Sequence, residues 1–285
     1  METKTIRPRR SLIFFPGNKP ELFDKACATG ADMVTADLED AIAPNDKTEA
    51  RKATFKRFSE AIDTTQECIV RVNSIRSADG LADLQLLLET ETPPKALMLP
   101  KVKSPDEVRV YEDLLIGSHG HIRFHAIIET NEGLEACYEI ARASDRIDSI
   151  LFGGVDMAAD LRIEMTWEGL VYGRSRVAHA GATAGIDVVD VPYLDFRNLD
   201  GMREEAEAVK RLGFTGKASV HPSQIAPLNE IFSPSAEQIE QAKRIIAAFE
   251  EQGTGLVVID NKLIEKPVLR SMYRLLAIAE RMGNG

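Results

Sequence analysis

Residues 33–40 read MVTADLED, a short apolar segment that runs into a cluster of acidic side chains. The same arrangement recurs where apolar segments precede Glu129 and Asp156. Buried strands that carry carboxylates at their C-terminal ends are how α/β barrels build active sites. Hard oxygen ligands gathered in this way suit Mg²⁺. The pattern therefore predicts metal-assisted chemistry at one end of a barrel.

Strand-like and helix-like segments alternate along the chain, which predicts a parallel sheet joined by crossover helices. Eight segments are short, apolar and bounded by polar residues, Gly or Pro, as expected of strands buried on both faces. They are residues 12–15, 33–38, 68–73, 96–100, 123–128, 149–153, 186–190 and 217–220. Because eight parallel strands close a (β/α)₈ barrel, we predict an α/β fold of the TIM-barrel class.

Two segments carry the pattern of a capping box that opens a helix. They are SPDE at residues 104–107 and SAEQ at residues 235–238. In such a box the serine side chain and the acidic or amide side chain three residues later bond each other's backbone N–H groups. We therefore expect helices to begin at these two serines.

The pattern changes after about residue 252. An apolar run leads to Asn261, a residue favoured in turns, and a helix-like run follows from about Pro267. We therefore expect a TIM-barrel catalytic domain at residues 1–252 and a C-terminal hairpin, lid or helical extension at residues 253–285.

Charge and cysteine content narrow the class of protein. The 285-residue chain has a formal net charge of −10, which disfavours nucleic acid or an anionic membrane as partner because both attract basic surfaces. No apolar stretch approaches the roughly 20 residues that span a bilayer, and the first ten residues lack a signal-peptide core. Three widely spaced cysteines support neither a disulfide framework nor a metal site. We expect a cytoplasmic protein that acts on a small molecule.

Several stretches together resemble one known family, in order from about residue 9 to residue 281. They are RRSLIFFPGN (9–18), DLEDAIA (37–43) with Lys47 and Arg51, VRVN (70–73), LPK (99–101), Glu129, GGVD (153–156), GFTGKASVHP (213–222) and NKLIEKP (261–267). This set resembles the citrate lyase β-subunit and malyl-CoA lyase group of the HpcH/HpaI aldolase/citrate lyase family. The resemblance implies a TIM barrel that carries out Mg²⁺-dependent lyase chemistry.

The resemblance implies that Glu129 and Asp156 bind Mg²⁺ and, through it, the substrate. Two carboxylates would leave coordination positions for water and for a bidentate substrate. Glu39 and Asp40 are implied as catalytic groups that hold metal-bound water. The alternative is that Glu129 and Asp156 only stabilise the N-termini of the following helices, where acidic residues are favoured.

Arg71 ends an apolar strand, where a charged side chain needs a partner. Its guanidinium matches a carboxylate, and the resemblance makes it the catalytic anchor of the substrate's acid group. The alternative is an internal ion pair with Glu39 or Asp40. Gly154 and Val155 are expected to bind the substrate through backbone N–H groups, which glycine allows to approach closely.

Further charged residues are expected at the rim of the site. The resemblance places Asp37 and Lys47 there, although Lys47 and Arg51 could equally pair with the acidic cluster. Lys101 is also interpreted as a rim residue, because the family resembles metal-dependent rather than lysine-dependent aldolases.

The resemblance also implies an acid/base group in the C-terminal tail. The family has an aspartate there that often reaches a neighbouring subunit's site, and the matching position in this chain is Glu265. Glutamate transfers protons equally well but reaches about one methylene further. The alternative is an exposed glutamate before a helix. An in-trans role implies a homo-oligomer, a trimer or hexamer.

The expected reaction cleaves or forms a 3-hydroxyacyl-CoA thioester such as malyl-CoA, methylmalyl-CoA or citramalyl-CoA, with acyl-CoA and a 2-oxo acid as the other reactants. Three alternatives stay open at this point. The chain could be a thioesterase on the same esters, or a citrate lyase β-subunit that acts on an acyl-carrier thioester with an acyl carrier protein as partner. It could also be a catalytically silent barrel that binds CoA esters or keto acids.

Overall fold

The chain forms a closed barrel of eight parallel strands, ordered β1 to β8 around the barrel. A computed structural model describes residues 7–60, 62–252, 256–259 and 262–281. The strands are β1 Ser11–Pro16, β2 Met33–Asp37, β3 Glu67–Arg71, β4 Ala96–Leu99, β5 Arg123–Ile128, β6 Ile147–Phe152, β7 Asp187–Asp190 and β8 Gly216–Ser219. The predicted TIM barrel is confirmed, and each strand begins and ends within two residues of the predicted positions.

Helices occupy the connections between the strands. They are α1 Phe23–Cys27, α2 Lys47–Ser59, α3 Ala78–Glu89, α4 Pro105–Leu114, α5 Asn131–Glu135, α6 Cys137–Ala141, α7 Gly154–Leu161, α8 Trp167–Ala184, α9 Leu199–Leu212 and α10 Ile225–Phe232. Several begin at a polar side chain that accepts a first-turn N–H, as Thr130 does for α5 and Asn198 for α9. None of the described helices is both long and apolar enough to cross a membrane.

One of the two predicted capping boxes differs from expectation. Helix α4 begins at Pro105 as predicted, but the Ser104 side chain caps none of the described N–H groups. The carboxylate of Glu107 instead accepts from the Lys103 N–H at 3.2 Å and from Arg76 Nε at 2.7 Å. Glu107, the glutamate expected in the capping box, therefore pairs with Arg76 of a neighbouring loop instead.

The barrel interior is filled by inward-facing apolar side chains from all eight strands. They are Leu12, Met33, Ile69, Ala96, Met98, Ile127, Leu151, Val189 and Ala218, each at most 4% exposed. Burial of each large side chain contributes about 1.5–3 kcal/mol to folding. Because the apolar cluster fills the middle of the barrel, polar residues collect at its two ends.

Arg9 closes the end of the barrel at which the strands begin. It is 5% exposed and bonds Glu67 at 2.6 and 2.9 Å, Asp187 at 2.9 Å and Asp148 at 3.0 Å. Burial by itself would raise the pKa of Glu67, but neighbouring His125 and Arg9 outweigh it and hold that pKa well below its usual range. One buried guanidinium thus joins carboxylates from β3, β6 and β7.

Arg9–Ile231 forms one compact unit, and the chain from Phe232 onward belongs to a second. The second unit contains α11 Ala236–Gln252, the antiparallel pair β9 Leu256–Ile259 and β10 Lys262–Glu265, and α12 Lys266–Arg281. The predicted hairpin and final helix are therefore present. The turn expected at Asn261 lies outside the described residues, and the division at residue 252 into barrel and extension stays a prediction.

The second unit has its own apolar core and a complete capping box. Ile245 and Ile246 of α11 pack with Ile264 and Leu269. At the start of α11 the Ser235 N–H donates to Gln238 Oε1 at 2.9 Å, and the Gln238 N–H donates to Ser235 Oγ at 3.1 Å. This reciprocal pair confirms the capping box predicted at residues 235–238.

We predict that Arg9→Met lowers the free energy of unfolding by about 3–5 kcal/mol, because buried Glu67 and the partly buried Asp148 and Asp187 would lose their shared cation. Urea denaturation measures this loss. Arg109→Met is the matched control, since Arg109 pairs with exposed Asp106 and its replacement should cost at most about 1 kcal/mol. Equal stability of the two variants would contradict the role assigned to Arg9.

Candidate active site

Charged side chains follow the C-terminal ends of five neighbouring strands, β2 to β6. Asp37 ends β2, Arg71 ends β3, Lys101 follows β4, Glu129 follows β5, and Asp156 lies in the first turn of α7 after β6. Because parallel strands end at the same edge, these side chains converge on one face of the barrel. The predicted clustering of carboxylates at this end is therefore observed.

Arg71 makes its shortest contacts with Asp37. The two residues are paired in register on β3 and β2, and Arg71 Nε and Nη2 donate to the Asp37 carboxylate at 2.7 and 2.6 Å. The same carboxylate accepts the backbone N–H groups of Glu39 at 2.8 Å and Ala41 at 3.1 Å. This bidentate pair fixes the guanidinium plane and the start of the loop after β2.

The third nitrogen of Arg71 faces the remaining acidic residues of that loop. Nη1 lies 3.2 Å from Glu39 Oε2 and 3.8 Å from Asp40 Oδ2. Burial alone would lower the pKa of Arg71, but its bond to Asp37 and the nearby carboxylates raise it, so the side chain stays charged. The internal ion pairs weighed from the sequence are present, but the strongest one is with Asp37. The substrate-anchoring role of Arg71 stays a prediction.

Lys101 lies at the centre of the acidic cluster rather than at its rim. Its Nζ is 2.6 Å from Glu39 Oε1, 3.4 Å from Asp40 Oδ1 and 3.8 Å from Asp156 Oδ1. Its backbone N–H donates to Glu129 Oε1 at 2.7 Å. Burial would lower the pKa of Lys101, but the hydrogen bond to Glu39 and the surrounding carboxylates outweigh it and raise that pKa.

The backbone of Lys101 explains why the sequence did not reveal this position. Its φ of 51° lies in the left-handed region, which costs a side chain other than glycine roughly 1–3 kcal/mol. This conformation accompanies the turn by which its N–H and its ammonium group meet two different carboxylates. An LPK motif after a strand does not specify such a turn.

Glu129 is almost completely buried, at 3% exposure. Burial, reinforced by the charges of Glu39 and Asp156 and only partly offset by Lys101, raises the pKa of Glu129 to about 8. A Cβ atom at Gly153 would lie 2.5 Å from Glu129 Oε2, so only glycine leaves room for the carboxylate. The positive charge near Glu129 is thus too small to offset the cost of burying its carboxylate.

Glu39 shows the same shortage of positive charge. Burial raises its pKa despite the opposing effects of Arg71 and Lys101. Its Oε2 atom is buried and accepts no hydrogen bond from the described residues, although Arg71 Nη1 lies 3.2 Å away. A buried carboxylate oxygen without a donor is costly unless a cation or water reaches it.

The donor set fits a divalent cation. Mg²⁺ is commonly held by one or two carboxylates while water or substrate completes its coordination. Among the described residues no group of three His, Cys, Asp or Glu side chains is arranged to hold a metal. Glu129 and the half-exposed Asp156 are the two carboxylates that would hold such a cation, with Glu39 and Asp40 available to the water around it.

Lys47 supports the loop that carries these acidic residues. Its Nζ donates to the carbonyl oxygens of Leu38 at 2.7 Å and Glu39 at 2.5 Å, and to Asn73 Oδ1 at 2.7 Å. Lys47 therefore binds the backbone of the loop rather than its carboxylates. This contact defines the shape of the loop from which Glu39 and Asp40 extend.

Arg51 acts one step further from the site. It bonds Asp83 through Nε at 2.5 Å, and Asp83 accepts both the backbone N–H and the side-chain amide of Asn73 at 2.7 Å. The sequence-based alternative that Lys47 and Arg51 neutralise the acidic cluster directly is wrong. Lys47 instead binds the loop backbone and Asn73, and Arg51 binds Asp83. Asn73 connects the two because it bonds both Lys47 and Asp83.

The remaining predicted site residues are placed as follows. Gly154 begins α7, and Val155 follows it with 46% of its surface exposed. Glu265 ends β10 in the second compact unit, and its side chain lies outside what the structure describes. Substrate binding by Gly154 and Val155 and proton transfer by Glu265 stay predictions.

We predict that Gly153→Ala lowers the free energy of unfolding by about 1–3 kcal/mol, because the new methyl group overlaps the Glu129 carboxylate. Urea denaturation measures the loss. Gly120→Ala is the matched control, since its new Cβ would meet nothing closer than 3.3 Å. A loss no larger than in the control would show that Glu129 has room to move.

Known proteins are similar to this chain over most of its length. The sequence profile of the HpcH/HpaI aldolase/citrate lyase family matches residues 10–222. The mitochondrial citramalyl-CoA lyase of Homo sapiens is 33% identical over 292 aligned positions, covering 95% of this chain and 86% of that protein. The (3S)-malyl-CoA thioesterase of Cereibacter sphaeroides is 34% identical over 278 positions, covering 96% of this chain and 95% of that protein.

A solved structure extends the similarity to the fold. It is that of CitE from Mycobacterium tuberculosis in complex with magnesium, acetoacetate and coenzyme A. The TM-score is 0.77 at 29% sequence identity, with 95% of this chain and 97% of that chain covered.

Proposed function

The chain belongs to the HpcH/HpaI aldolase/citrate lyase family and is an enzyme of the lyase class, and from that premise we propose that it is a Mg²⁺-dependent lyase of CoA thioesters. The substrate would be a 3-hydroxyacyl-CoA such as malyl-CoA, methylmalyl-CoA or citramalyl-CoA. The products would be acyl-CoA and a 2-oxo acid, and the reaction would also run in reverse.

The observation that carries this proposal is the group of buried carboxylates at the C-terminal ends of β2 to β6. Glu129, with its pKa raised to about 8, and Glu39, with an oxygen lacking a donor, both favour a nearby cation. Similarity to a citramalyl-CoA lyase supports the substrate class, and similarity to a protein crystallised with magnesium and coenzyme A supports the metal.

Glu129 and Asp156 would hold the Mg²⁺, which when bound supplies a Lewis acid that polarises the substrate's hydroxyl and keto oxygens. Arg71 would bind the substrate's carboxylate. Its Nε and Nη2 donate to Asp37, so Nη1, which lies 3.2 Å from Glu39, would donate to the substrate. The Asp37 pair would keep that nitrogen oriented before substrate arrives, which lowers the entropic cost of capture.

Bond cleavage requires two proton movements. The substrate hydroxyl would pass its proton to water held by Glu39 and Asp40 as the oxo group forms, and the electrons of the broken carbon–carbon bond would pass to the carbon beside the thioester carbonyl. That carbon must then receive a proton, and we assign this step to Glu265 as general acid. In synthesis the same carboxylate would remove a proton from the carbon next to the thioester carbonyl.

The assignment of Glu265 is coupled to assembly. If this residue serves a neighbouring subunit, the enzyme would work as a homo-oligomer, a trimer or hexamer.

The three cysteines are free thiols, which is in keeping with the reducing cytoplasm as the site of action.

The proposal is tested by incubating the purified protein with malyl-, methylmalyl- and citramalyl-CoA, with Mg²⁺ or with EDTA, and following all products by mass spectrometry. Mg²⁺-dependent formation of acyl-CoA together with a 2-oxo acid is the expected result. Formation of free CoA and a hydroxy diacid would support the second candidate, a thioesterase, which the 34% identity to a malyl-CoA thioesterase favours.

A complete lack of turnover would count against the proposal as stated. The same assay with a thioester on an acyl carrier protein would then distinguish the remaining alternatives. Turnover there would indicate a citrate lyase β-subunit, and none would indicate a silent binding protein.

We predict that Asp156→Ala lowers kcat by at least about 10³-fold, because loss of one of two metal carboxylates removes the charge stabilisation of the reacting oxygens. The mass-spectrometric assay measures the loss. Glu164→Ala, at an exposed acidic residue just beyond α7, is the control and should keep its activity. Retained activity in Asp156→Ala would remove Asp156 from the metal site.

We predict that Glu265→Gln lowers turnover by about 10²–10⁴-fold while leaving Mn²⁺ binding unchanged, because the amide cannot deliver a proton to the carbon. Solvent deuterium uptake into the acyl product measures the protonation step directly. Unchanged turnover and deuterium uptake would mean that another group is the acid.

A further inference from the structure

The position of Lys101 has a consequence for the proposed metal site. Its ammonium group is 2.6 Å from Glu39, 3.4 Å from Asp40 and 3.8 Å from Asp156. These are carboxylates that a divalent cation and its bound water would also engage. The Lys101 ammonium group therefore lies close to the position proposed for the metal.

The charges of the site show why a cation of the chain is needed. Asp37 is neutralised by its bidentate contact with Arg71. The other carboxylates are Glu39, Asp40, Glu129 and Asp156, and Lys101 contacts every one of them through its ammonium group or its backbone N–H. Lys101, together with Arg71 Nη1 beside Glu39 and Asp40, compensates part of their mutual repulsion.

The two contacts of Lys101 differ in how far they restrict the side chain. Its backbone N–H is bonded to Glu129 and is fixed by the left-handed turn at φ 51°. Its side chain is 31% exposed, so the ammonium group has a route to solvent that the backbone lacks. The lysine can thus keep Glu129 oriented while its charge moves away from Asp156.

We propose that Lys101 competes with the divalent cation for the carboxylates of Glu39, Asp40 and Asp156, and so sets the metal affinity of the site. This inference rests on the proposed Mg²⁺-dependent function. In the metal-free protein the ammonium group holds the carboxylates together. When the metal binds, the Lys101 ammonium group would give up its contact with Asp156. The free energy lost with that contact makes metal binding weaker.

The test is a titration of the full chain with Mn²⁺, in which the electron paramagnetic resonance signal reports the free ion. Lys101→Met removes the competing charge and keeps the backbone N–H that bonds Glu129. We expect it to bind Mn²⁺ about ten-fold more tightly than the wild type, because a unit charge near a divalent ion repels it even in a solvated site. Lys101→Arg retains the charge and should bind as the wild type does.

Thermal unfolding provides a second measurement of the same competition. In EDTA, Lys101→Met should melt below the wild type, because Glu39 loses its 2.6 Å partner. Saturating Mn²⁺ should then raise its Tm by about 2–4 °C more than it raises that of the wild type. If Lys101→Met does not fold, Lys101→Asn replaces it, since asparagine tolerates a left-handed backbone.

Lys103→Met is the matched control, because Lys103 lies in the same loop but pairs with exposed Glu132 at 2.6 Å. Its Mn²⁺ affinity should stay within two-fold of the wild type. Unchanged or weaker binding by Lys101→Met would overturn the competition and show that the lysine only supports the site. Absence of Mn²⁺ binding by both the wild type and Lys101→Met would overturn the proposed metal site itself.

Discussion

Desolvation of like charges is the constraint on which this site depends. Parallel strands that close into a barrel all end on the same face, so the carboxylates that follow β2, β5 and β6 are brought together whatever their mutual repulsion. The cost is visible in Glu129, whose pKa is raised to about 8, and in the unbonded oxygen of Glu39. The apolar core and the closed sheet hold this arrangement in place, and the side chains of Arg71 and Lys101 offset part of the repulsion.

The two ends of the barrel solve the problem of buried charge differently. At the end where the strands begin, Arg9 satisfies Glu67, Asp148 and Asp187 together, so that charges are matched by hydrogen bonds at 2.6–3.0 Å. At the opposite end the acidic groups exceed the available donors. The first arrangement suits a permanent structural role, and the second leaves interactions that the proposed metal and substrate would complete.

Residues outside the acidic cluster hold the loop after β2 in its conformation. Lys47 binds the backbone at Leu38 and Glu39, and its partner Asn73 is held by Asp83 and Arg51. The loop can therefore present Glu39 and Asp40 without using the positive charge of Lys47 to neutralise them. Lys101 contacts the cluster directly, as Arg71 also does, and we propose on that ground that its charge lowers metal affinity.

The sequence by itself determined the barrel, because eight short apolar segments separated by helix signals permit few other folds. It also indicated which carboxylates meet, since residues at C-terminal strand ends share one face. Only the tertiary structure decided how their charges are paired. The Asp37–Arg71 pair depends on the register between β2 and β3, and the central position of Lys101 depends on one left-handed residue. Both are set by contacts between segments distant in the chain, for which local sequence patterns carry no signal.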